Sequence, residues 1–290
     1  MRDISGVLRI KNLLPWFGMA LTLLGVVFIS LRLNDHSSQL DFTAIKQLSW
    51  VIIFVFAVVY GIANVLLALA WQNLLKHFGS PVSRDCAIEV YGVSQLAKYV
   101  PSNIMHLASR QVMGLARGIA GWPLAKAAVW ELVLISITAM FFSVLVFPQY
   151  FQTSSPLSAL AVFLVALGVV FVVLDRQVSF TVAQTLGYYT AFLTLSGMIF
   201  VGLLILVADE VSVSFSGMSF LCGSFVVAWL AGLVTPGSPA GVGVREAVLM
   251  VLLIDRIPEP NLLMAILLSR IVCVLGDGLF FLYSSYYSHE

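Results

Sequence analysis

Apolar runs of about 20 residues, the length a helix needs to cross ~30 Å of hydrocarbon, recur from one end of this chain to the other. Such runs restrict the fold to a bundle of membrane helices, because in lipid a spanning segment must satisfy its own backbone polar groups. Composition agrees, with 60% hydrophobic and 10% charged residues, against ~25% charged in a soluble domain. Full spans are expected at 13–33, 50–75, 124–147, 157–174, 188–208 and 261–286. What lies between them leaves no room for a separate catalytic domain. A net charge of +1, with the basic residues in short loops, argues against nucleic-acid binding.

Loop charge orients these spans. Arg2, Arg9 and Lys11 precede the 13–33 run, which ends in Leu31-Arg-Leu-Asn with no small-residue cleavage site and so reads as a retained peripheral anchor. Lys76, Arg84, Lys98, Arg110 and Arg117 outweigh Asp85 and Glu89 between 76 and 120. Both regions are expected on the cytoplasmic side, and the N-terminus with them. The balanced 34–49 loop, the uncharged 148–156 loop and Asp209-Glu210 belong outside.

Two stretches break this pattern in the same way. One reads Leu96-Ala-Lys-Tyr-Val-Pro-Ser-Asn-Ile-Met-His-Leu-Ala-Ser-Arg110, the other Ala231-Gly-Leu-Val-Thr-Pro-Gly-Ser-Pro-Ala-Gly-Val-Gly-Val-Arg245. In each, an apolar half-helix stops at a proline, small or polar residues follow, and an arginine comes nine residues later. Paired interruptions are the best sequence pointer to a transport site at the bilayer midplane. The segments 87–120 and 215–254 are therefore expected to form re-entrant helical hairpins, which bilayers tolerate where irregular backbone lines a polar cavity. The alternative makes 217–234 an ordinary span with the glycine-rich piece as its loop. On the hairpin reading three crossings separate the two breaks, so one hairpin dips in from each side. The expected fold is all-α and polytopic, a single domain of about six full spans plus two hairpins. Its inverted repeats cover 50–148 and 188–287, with 157–174 as connector.

Arg110 and Arg245 are the leading candidates for chemistry. An arginine in hydrocarbon costs ~2.5 to 3.5 kcal/mol on insertion scales, so it faces a cavity, a partner or the headgroup layer. Its forked guanidinium suits a phosphate, and backbone N–H groups freed beside Pro101, Pro236, Gly241 and Gly243 would help hold one. Arg270 sits deep in the last span and is expected to face the second break, with Glu246 or a substrate phosphate as partner; Asp277 lies two turns on, on the same side. Glu246 could equally be a helix-capping carboxylate. Lys98, Tyr99, Asn103 and His106 surround the first break, and Glu131 lies within reach of Lys126. Cys86, Cys222 and Cys273 have no metal spacing and read as packing residues. No metal cluster, nucleophile elbow or phosphate loop is present, so no cofactor is expected and an enzyme is disfavoured.

The stretch Ala240-Gly-Val-Gly-Val-Arg-Glu246 before an apolar helix, followed by an arginine in the last span, resembles the transmembrane region of the lysylphosphatidylglycerol synthase superfamily. Leu96-Ala-Lys-Tyr-Val-Pro101 with Arg110 is similar to that family's first motif, usually Gly-Lys-Tyr-x-Pro-Gly; Ala97 and Ser102-Asn103 depart from it, as Ser238-Pro239 do in the second motif. The soluble lysyl-transferring domain is not in this chain. The resemblance implies a flippase-like translocator of an anionic lipid, a phospholipid or a polyprenyl-phosphate-linked saccharide, in a bacterial inner membrane. An accessory subunit of a glycosyltransferase and an intramembrane lipid-linked transferase are the alternatives.

Overall fold

The computed structural model describes residues 47–99, 105–148, 155–208, 214–235 and 238–286, so the expected 13–33 helix lies outside the described residues. All regular elements among the described residues are helical. They are α1 (Gln47–His77), α2 (Arg84–Gln95), α3 (Met105–Ala116), α4 (Gly121–Phe141), α5 (Pro156–Gln177), α6 (Phe180–Val207), α7 (Phe215–Val234), α8 (Val244–Leu253) and α9 (Glu259–Tyr286). Short 3₁₀ turns at Leu96–Tyr99, Phe142–Leu145 and Pro239–Gly241 extend α2 and α4 and precede α8.

Six helices are long and apolar enough to cross a membrane: Ser49–His77, Gly121–Leu145, Leu157–Gln177, Phe180–Val207, Gly217–Val234 and Glu259–Tyr286. These are the spans of a multi-pass membrane protein whose regular elements, among the described residues, are all helical. Its six differ from the expected six in membership, because 217–234, with a mean hydropathy of 1.9 over its 18 residues, qualifies by length and composition. Helix α8, at 10 residues, is only ~15 Å long and does not. The span expected from 188 begins at Phe180, capped by Ser179, whose hydroxyl accepts from the Val182 N–H at 3.4 Å. Thr181, Gln184 and Thr185 in its first two turns hide that start from a hydropathy scan. Thr185 folds its hydroxyl back onto the Thr181 carbonyl at 3.0 Å, which removes the polar cost.

Serine caps also open α2, α5 and α7: Ser83, Ser155 and Ser214 each accept from the backbone N–H three residues on. Between spans, packing rests on small residues that let backbones approach, as lipid offers helices no hydrophobic drive to associate. Gly61 of α1 meets Gly276 of α9 so closely that a Cβ on Gly276 would lie 2.7 Å from the Ala57 carbonyl oxygen. Gly197 of α6 admits Cys222 of α7 in the same way, which gives that thiol a packing role.

Helix α9 is the central strut, with 61% of its apolar window buried inside the protein, while α5 is peripheral at 17%. Helices α1 and α6 pack along each other; α9 lies against α1, α2 and α6, and α7 against α6 and α8. The turns Leu96–Tyr99 and Pro239–Gly241 touch, so the two interruptions meet in the interior.

Candidate functional site

The second break is the better defined. Helix α7 ends at Val234, and Thr235 turns its hydroxyl onto the Ala231 carbonyl at 2.7 Å. Pro236 lies outside the described residues. The chain then reverses through Ala240, Gly241 and Gly243, all in the left-handed region with φ of 48°, 71° and 84°. Glycine carries that conformation without a side-chain clash, whereas Ala240 bears it at a cost. Ser238 closes the reversal by donating to the Val242 carbonyl at 2.9 Å. A Cβ on Gly232 would come 3.0 Å from the Gly241 Cα, so the two limbs meet at bare backbone.

Arg270 of α9 clasps this reversal. It donates to the Ala240 carbonyl at 3.0 Å, to the Gly241 carbonyl at 3.1 Å, and through Nε to the buried Glu246 carboxylate. The partner demanded by its depth is thus Glu246, and the carbonyls left open by the broken helix use the rest of its fork.

At the first break Pro101 and Asn103 lie outside the described residues, but Lys98 and Tyr99 are in place. Both converge on Asp277 of α9, which is wholly buried. The Lys98 ammonium stands 2.6 Å from its Oδ2, and the Tyr99 hydroxyl donates to the same oxygen at 2.5 Å. Asn64 of α1 donates to Oδ1 at 3.1 Å and accepts from Gln95 at 3.3 Å. Asp277 therefore clasps the first break as Arg270 clasps the second, from two turns further along one helix.

Arg110 and Glu131 form a third pair. Arg110, 1% exposed, donates to Glu131 at 2.5 Å, faces Ser94 at 3.4 Å and lies over the Tyr91 ring at 3.6 Å. Tyr91 donates to the other oxygen of Glu131 at 2.8 Å. Lys126, expected beside Glu131, lies instead over the rings of Phe78 and Trp122, and the deeper arginine has that carboxylate.

Arg245 differs from all of these. No carboxylate stands within ion-pair distance of it among the described residues, since its neighbour Glu246 faces Arg270. Its Nε is buried without a hydrogen-bond partner, and its guanidinium stacks 5.5 Å above Trp229. Gly232 and Gly241 make the slot it occupies: a Cβ at either would fall within 3 Å of its side chain. It faces a cavity of about 80 Å³ lined also by Lys98, His106, Glu131, Tyr91 and Gln95, where both breaks contribute. His106 Nδ1 is likewise buried without a partner.

Of the expected site residues, Lys98, Arg245 and Gly241 line this chamber; Tyr99, Arg270 and Glu246 brace it through ion pairs and hydrogen bonds; Arg110 stands behind Glu131, and Gly243 starts α8. Sequence reasoning did not find Asn64 and Gln95. Asn64 carries a usable signal, as the one side-chain amide amid the apolar residues 50–71. No group of three or more metal-ligating side chains occurs among the described residues. Comparison with known protein families, curated proteins and solved structures finds no match.

Proposed function

We infer that this protein is a lipid translocator, which passes the phosphate-bearing headgroup of an anionic lipid between leaflets while its chains stay in hydrocarbon. The observation that carries this reading is Arg245, a buried cation with no carboxylate partner among the described residues, in a chamber where two broken helices meet. Holding a guanidinium there costs free energy that an arriving anion offsets. Such chambers at paired helix breaks are how secondary transporters hold anionic substrates.

The finer architecture we propose is the inverted repeat, with α2–α3 and α7–α8 as hairpins entering from opposite sides and the N-terminus cytoplasmic. Contacts support it pair by pair. The α1–α2, α2–α3 and α3–α4 interfaces recur as α6–α7, α7–α8 and α8–α9, while α1–α9 recurs as α6–α4. Rocking of one unit against the other about α1 and α6 would alternate access. The likeness to the lysylphosphatidylglycerol synthase membrane region points the same way and favours a bacterial inner membrane.

The test is lipid exchange in vesicles containing the purified protein, read as loss of fluorescence of a labelled phosphatidylglycerol to an external quencher. Wild-type protein is expected to expose the inner-leaflet label and Arg245→Ala to leave it protected. Equal exchange by the two, with both correctly folded, would remove the assignment.

A further inference from the structure

The fixed charges around the chamber add up to a definite number. Lys98 is matched by Asp277, Arg110 by Glu131 and Arg270 by Glu246, each in direct contact. Arg245 is matched by nothing among the described residues, and His106 is a neutral imidazole in its ordinary state near neutral pH. The cluster therefore carries one uncompensated positive charge. In a low-dielectric interior the occupant that balances it bears one negative charge, because each further unpaired charge carries its full desolvation penalty.

We propose that the chamber selects a phosphodiester headgroup and rejects headgroups with a second negative charge, namely phosphomonoesters and diphosphates. This rests on the translocation reading and narrows its substrate class. Size agrees with a phosphate ligand: the cavity of about 80 Å³ has room for a phosphate group beside Arg245. So does shape. Gly232 and Gly241 fix the guanidinium against Trp229, leaving one fork to grip one pair of phosphate oxygens. The remaining cations cannot take up a second charge without leaving a buried carboxylate unpaired.

Binding to the detergent-solubilised full chain separates this from translocation. Tryptophan fluorescence, sensitive through Trp229 beneath Arg245, would be titrated with short-chain phosphatidylglycerol and with short-chain phosphatidic acid. A buffer of about pH 8 keeps the phosphomonoester doubly ionised. The diester is expected to bind at least about tenfold more tightly. Arg245→Gln should weaken it by a similar factor. Glu131→Gln, which frees Arg110 and raises the fixed charge by one, should turn the preference toward phosphatidic acid; a purely structural Glu131 would weaken both lipids alike.

Equal binding of the two lipids by wild type, or a Glu131→Gln variant that folds and keeps the original preference, would overturn the proposal. Dimethyl phosphate binding as tightly as phosphatidylglycerol would overturn the lipid as the source of the diester. Selective binding without exchange in vesicles would sink translocation and leave the charge rule standing.

Discussion

The two helix breaks share a proline followed nine residues on by an arginine, yet those arginines live in opposite circumstances. Arg110 is enclosed by Glu131, Tyr91 and Ser94, whereas Arg245 faces the cavity with no carboxylate within ion-pair distance among the described residues. The difference teaches that position in a repeat does not fix role. One arginine fastens the second limb of its break to the following span; in the other break Glu246 and Arg270 do the fastening, with the charges exchanged between limb and span. That exchange gives Glu246 to Arg270 and leaves its neighbour Arg245 with no carboxylate in reach among the described residues.

The largest effect should come from splitting the enclosed pair. Arg110→Ala or Glu131→Ala leaves a buried charge alone and is expected to cost ~3 to 5 kcal/mol, read as a large fall in melting temperature in detergent. Replacing both, as Arg110→Met with Glu131→Leu, should restore most of that stability. If the double variant is as unstable as the singles, the pair is not acting as a unit. Next, Tyr99→Phe removes a hydrogen bond to the Asp277 carboxylate and should cost ~1.5 to 3 kcal/mol. An unchanged melting temperature would show that Lys98 and Asn64 suffice to hold the first break.

Gly232→Ala presses a Cβ onto Arg245 and should destabilise by ~1 to 3 kcal/mol through overpacking. Adding Arg245→Ala should relieve most of the strain, which a thermal-melt double-mutant cycle would detect as coupling; additive losses would mean that the Gly241 backbone is the tighter contact. Smallest in stability is Arg245→Ala alone, expected within ~1 kcal/mol of wild type because no buried carboxylate loses its partner. Its effect falls on lipid exchange instead. A melting temperature as low as that of Arg110→Ala would erase the contrast between the two arginines.

Spans were legible in the sequence where apolar residues dominate, as from Val51 to Trp71 with Asn64 as the one side-chain amide, and their ends blurred where Thr181, Gln184 and Thr185 bring polar side chains into the first turns of α6. The depth of Arg270 announced the need for a partner, and Glu246 was near enough in the pattern to be named. Asp277 was visible as a deep carboxylate, but its partners Lys98, Tyr99 and Asn64 come from remote segments, and no periodicity within one helix joins them. Glu131 failed for the opposite reason. A nearby lysine offered a local partner, and tertiary packing supplied a deeper one.

Asp277 and Arg270 ride on one shaft, α9, each gripping a different interruption. A twist of that shaft about its own axis would carry both grips off together, so the two interruptions are geared and neither can loosen alone. Spin labels placed beside each should then report distance changes that rise and fall in step, and independent motion would mean that the gears do not mesh.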